Sequence, residues 1–197
     1  MTVVAHFVGA SGAAMDPTAT TSGQVFVWDG AGSRWPLSPR PDGALTCTVD
    51  APAVAGRSWQ LLVFLYQYGT PTFAATYVDF TAGAGLVDLG TIDLGTHGLS
   101  MVSPAKDAVE TSYPIDFVWT PYDRPDVTAS DYSPSIGAVH MDGGYYTPRT
   151  SETHFVLPAR TRSMSGKGYW SVSVSYRTPS GQRVTQETYG TGLTFPD

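Results

Sequence analysis

Apolar and polar residues alternate with a period of two along most of this 197-residue chain. In "YWSVSVSY", Trp170, Val172, Val174 and Tyr176 face one way and the serines the other, the mark of a half-buried strand. "YPIDFVWTPYD" puts Ile115, Phe117 and Trp119 on one face and stops at Pro121. "GQVFVWDG" sets Val25 and Val27 against Phe26 and Trp28, and "VDLGTIDL" sets Val87 and Leu89 against Asp88 and Gly90. "LLVFLY" is apolar throughout, which predicts a central strand covered on both faces. "TVVAHFVG", "ALTCTVDA", "TFAATYVDF", "SPSIGAVHMD", "THFVLP", "QRVTQETYG" and "GLTFP" add further strand-like phrases between turns rich in Gly, Pro and Asp. No segment keeps a helical period over the roughly 10 to 12 residues a helix requires. The expected fold is all-β, two consecutive antiparallel immunoglobulin-like β-sandwich domains.

The rhythm breaks once, at the polar stretch "GTHGLS", and restarts with different phrases. The expected domains are therefore residues 1–97 and 98–197, each of about 100 residues, an ordinary domain size. The second half resembles a fibronectin type III-like module of the bacterial kind. "SPAKDAVETSYPIDFVWTPYD" is similar to its first two strands with a core tryptophan at Trp119, "ETHFVLPA" and "GYWSVSVSY" to its E and F strands, and "TYGTGLTFP" to its closing strand. The first half resembles a carboxypeptidase-regulatory-like, transthyretin-type module through "GQVFVWDG", "PDGALTCTVDAP", "SWQLLVFLY" and "VDLGTIDLG", with a longer turn, "ASGAAMDPTATTS", between the first strands. Such modules are commonly non-catalytic companions in secreted and surface proteins, and that is what the resemblance implies.

Composition narrows the functions. The net charge is −6 and the few basic residues are scattered, so the basic stripe that neutralises phosphates is missing and no nucleic-acid partner is expected. Without a basic amphipathic helix or a run of about 18 apolar residues, no membrane insertion is expected either. The N-terminal "MTVVAHFVGASGAAM" has no basic leader region and reads as a first strand, so no signal peptide is visible. The expected location is extracellular, on a cell surface or in a virion. The absence of asparagine removes both N-glycosylation sequons and Lys–Asn isopeptide staples. Cys47 is the only cysteine, so stability rests on packing, and its strand-like setting reads as a small buried hydrophobe.

No catalytic signature emerges, and the chain is expected not to be an enzyme. His6, His97, His140 and His154 lack metal-ligand spacing, and no cofactor or metal is expected. Asp123, Asp126 and Asp131 could wrap a calcium ion with backbone carbonyls, but turn chemistry around Pro125 is the plainer reading. No G-x-S-x-G occurs, and the three glutamates, Glu110, Glu152 and Glu187, stand in polar contexts. "SGKGYW" and "GAGSRW" fail as phosphate and dinucleotide loops and read as hairpin turns.

Aromatic residues are the positive signal. Trp28, Trp35, Trp59, Tyr66, Tyr68, Tyr145 and Tyr146 exceed what a thin sandwich core readily hides, and such rings stack on sugars or anchor protein interfaces. Trp35, in "GSRWPLSPRP", is the expected exposed platform, with Tyr145, Tyr146 and Arg149 of "MDGGYYTPRTSE" as a second contact region. The leading expectation is a non-catalytic structural protein of a surface layer, filament or virion whose partners are other protein subunits. A carbohydrate-binding or adhesive module, with glycans as partners, is the alternative.

Overall fold

The computed structural model describes residues 1–19, 23–50, 58–65, 72–138, 148–159 and 165–196. Among the described residues sixteen strands follow one another: β1 (Thr2–Val8), β2 (Gly23–Trp28), β3 (Arg34–Pro36), β4 (Ser38–Pro39), β5 (Leu45–Thr48), β6 (Ser58–Leu65), β7 (Ala75–Thr81) and β8 (Leu86–Asp93). Then come β9 (Met101–Ser103), β10 (Ala108–Val109), β11 (Ile115–Trp119), β12 (Ala129–Ala138), β13 (His154–Leu157), β14 (Gly166–Arg177), β15 (Arg183–Glu187) and β16 (Thr191–Phe195). Among the described residues there is no helix, and hence none long and apolar enough to cross a membrane. Among the described residues the fold is all-β, a β-sandwich.

The chain divides into two compact units, Met1–Thr96 with Arg177–Gln186, and His97–Tyr176 with Glu187–Asp197. Segment 177–186, read in the sequence as part of the second module, is thus grouped with the first unit. The reason is tertiary. Gln186 is fully buried, and its amide donates to Thr76 Oγ1 at 3.2 Å and to the Asp93 carbonyl at 2.6 Å.

In the first unit, one sheet has the order β4-β5-β1-β8, with β8 parallel to β1, and the other places β15, β7, β6, β2 and β3 side by side. Strand alternation dictates what fills the space between the sheets. Val3, Ala5, Phe7, Leu45 and Cys47 from one sheet, and Val25, Val27, Trp59, Leu61 and Val63 from the other, are all buried. The apolar run in β6 is central, as expected, and Leu62 on its opposite face is buried too.

In the second unit, β14 is paired on both sides, by β12 and by β16, and β10 adds to β16 in parallel. The other sheet has the order β13-β11-β9. The expected faces are present. Ile115, Phe117, Trp119, Trp170, Val172, Val174 and Tyr176 are buried, and the Phe117 and Trp170 rings meet edge to face at 5.2 Å. The serine face of β14 is a difference: Ser171 and Ser175 are buried as well, and Ser171 Oγ donates to Glu187 at 2.6 Å. From Trp170 to Tyr176 this strand is covered on both faces.

Two turn expectations part ways. "GAGSRW" is the β2–β3 turn, where Asp29 Oδ1 accepts the Ala31 and Ser33 amides while Gly30 and Gly32 adopt positive φ. "SGKGYW" is not a hairpin turn, since its residues from Gly166 onward form the start of β14. Gly168 serves close approach there, because a Cβ would collide with the Gly137 carbonyl and the Phe195 ring of the two flanking strands.

Candidate interaction surfaces

Trp35 lies on the short edge strand β3, not in an open turn, and is half-buried. Its register opposite Val27 aims it toward the interior face, where its ring lies 5.3 Å from that of buried Trp59. Its indole N–H donates to Asp50 Oδ1 at 2.9 Å, and this bond holds the Asp50 carboxyl below the usual carboxylate range. The ring expected to be an exposed platform is therefore largely a rim element of the core. The residue before it points the other way: Arg34, paired with Trp28, places its guanidinium 4.9 Å from the Phe26 ring centre. From Phe26 the aromatic contacts continue across the outer face to Phe64 and Tyr77, each step 5.9 Å.

Arg149 is exposed on the second unit, next to the bridge that joins Thr150 to Tyr132. Tyr145 and Tyr146, with Tyr66 and Tyr68, lie outside the described residues. Trp35 and Arg149 belong to different units. Among the described tryptophans, Trp59, Trp119 and Trp170 are each at most 2% exposed, so the cores absorb more aromatic volume than the sequence leads one to expect.

The acidic loop around Pro125 is built on a guanidinium. Arg124 grips both carboxylate oxygens of Asp126, at 2.7 and 2.6 Å, and donates to Tyr176 Oη at 3.3 Å. Asp126 is held below the usual carboxylate range by that bond, and burial followed by the neighbouring Tyr176 pushes the Tyr122 hydroxyl far up. Tyr122 stacks on Tyr176 at 5.5 Å and its amide donates to the Tyr132 hydroxyl, so the loop closes one end of this unit's core. Among the described residues no three His, Cys, Asp or Glu side chains gather as a metal site.

A second pattern was not legible in the sequence. Among the described residues the exposed large aliphatic side chains are Leu86 (67% exposed), Val102 (52%), Val109 (69%) and Val156 (42%). They stand on β8, β9, β10 and β13, and each of these is an edge strand among the described residues. Neither β9 nor β13 carries an Asp, Glu, Lys or Arg, the residues that normally blunt a sheet edge. For Val102 and Val109 exposure could not be read beforehand, because a lone valine in a two- or three-residue strand holds no period.

No family model matches this chain, and no curated protein matches it. Solved structures do resemble it. A DUF3823 family protein from Bacteroides ovatus is 10% identical over 98% of this chain and 97% of its own, with a TM-score of 0.36. A Bacteroides uniformis protein provisionally named as carbohydrate-binding is 9% identical over 98% of both chains, with a TM-score of 0.34. Fibronectin domains 1 to 3 of chicken contactin are 12% identical over 89% of this chain and 56% of theirs, with a TM-score of 0.32.

Proposed function

We propose that this chain is a non-catalytic structural protein that acts through protein–protein contacts, as one component of an extracellular surface layer, filament or virion. The observation that carries this reading is the placement of Leu86, Val102, Val109 and Val156, exposed and apolar, on edge strands. An edge strand presents unpaired backbone groups, so a partner strand gains main-chain hydrogen bonds, and adjoining apolar side chains add burial. Burying one valine contributes about 1.5 kcal/mol, so several such contacts per interface have an appreciable effect on affinity. The same reading takes the second unit as a fibronectin type III-like module. It is supported there by the split first strand, whose part β10 runs parallel to the last strand β16. The first unit is taken as a carboxypeptidase-regulatory-like module.

Sedimentation of the purified chain over a wide concentration range tests this. The wild type is expected to associate, and Val102→Lys with Val156→Lys to abolish association while leaving the melting temperature within a few degrees. A chain that stays monomeric throughout, or variants that associate like the wild type, would contradict the proposal. Glycan binding is the second reading, favoured by the part of the Trp35 ring that remains accessible beside Asp50. Glycan-array binding lost in Trp35→Ala would support that reading instead.

A further inference from the structure

The first unit contains an open cleft of about 480 Å³, lined by residues of β6, β7 and β8 and by the turn entering β15. Phe80 and Leu89, both buried, and half-buried Val87 give it an apolar floor. Around them stand Arg177, Arg183, Gln182 and the hydroxyls of Ser58 and Thr81. Arg177 donates to the Gly181 carbonyl at 3.0 Å, which fixes its head group over its own turn.

The charges set this cleft apart. Elsewhere Arg40 and Arg124 each sit on the aspartate two residues on, Asp42 and Asp126. Arg177 and Arg183 form no salt bridge among the described residues. The acid that shares the cleft, Asp79, accepts the Gln60 amide at 2.8 Å instead. Two guanidiniums against one carboxylate leave a local positive site on a chain whose net charge is −6.

A guanidinium fork matches a carboxylate in shape and charge. Hydroxyl and amide side chains match ring hydroxyls, and an apolar floor accepts the C–H face of a pyranose. We propose that this cleft binds a carboxylate-bearing saccharide, with Arg177 and Arg183 taking the carboxylate and Val87 and Leu89 supporting the ring. Of the edge strands only β8 reaches this cleft, through Val87 and Leu89 rather than the exposed Leu86, and the arginines that carry the binding lie on no edge strand of the assembly role.

An amide-resolved NMR titration of the full chain with trigalacturonate tests it, with D-galactose and acetate as controls. Trigalacturonate is expected to shift the amides of Ser58, Thr81, Gly181, Gln182 and Arg183, less strongly as salt rises. Arg177→Gln combined with Arg183→Gln is expected to weaken binding about tenfold or more. Asp79→Asn keeps the oxygen that accepts from Gln60 but removes a repelling charge, and is expected to tighten binding about two- to fivefold. A gain in one variant and a loss in the other are not what unfolding produces. Absence of shifts at these amides, equal binding of galactose or acetate, or an unchanged double variant would overturn the proposal.

Discussion

Cys47 lies on the inner face of β5 beside Val3, and burial pushes its thiol up to about 11 from an ordinary value of 9.0. The folded state therefore favours the neutral thiol. Its contribution to stability is fully present below pH 9, where the unfolded thiol is also neutral. It is lost as pH rises toward 11, because the unfolded chain ionises first and releases its proton. Unfolding free energy measured from pH 8 to 11 is expected to fall less steeply in Cys47→Ala than in the wild type. Trp35 is the residue where sequence reasoning misjudged exposure. "GSRWPLSPRP" reads as turn, yet pairing with β2 and the stack on Trp59 turn the ring inward. Trp35→Ala is expected to destabilise the chain by about 2 kcal/mol in denaturant titration, below the 3–5 of a fully buried tryptophan because this ring is only half-buried.

At the scale of elements, the longer strands were legible because five to twelve residues of pattern leave one assignment. β1, β2, β6, β7, β8, β11 and β14 all fall where the pattern puts them. The short strands β3, β4, β9 and β10 were not, since two or three residues carry no period and depend on a neighbour's open edge. The packing of β14 shows a further limit. Its serines read as a solvated face, but what covers them comes from distant sequence, as Glu187 does for Ser171. Gly168 is likewise explained only by its neighbours, β12 and β16, which leave no space for a methyl group. Gly168→Ala is expected to cost about 2–3 kcal/mol by overpacking, measured as a lower denaturation midpoint with an unchanged slope. An Ala at Gly181, in the open β14–β15 turn, meets no neighbour, and any cost there comes from its positive φ alone.

At the scale of the molecule, the first unit is completed by residues 177–186, far along the chain from Thr96, where its main segment ends. No local pattern could announce this, because β15 alternates like any other strand and its partner is chosen by the burial of Gln186. Gln186→Leu leaves the Asp93 carbonyl without this donor and is expected to destabilise the chain by about 1–3 kcal/mol, checked by thermal and denaturant unfolding. Both units have cores filled by their own aromatic and aliphatic side chains, and the proposed assembly role places the active chemistry of this protein on sheet edges instead. Hydrogen exchange at rising protein concentration measures that directly. The account predicts that amides of β9 and β13 become protected as concentration rises, while those of the already paired β14 stay as they were; exchange at these edges that ignores concentration would contradict it.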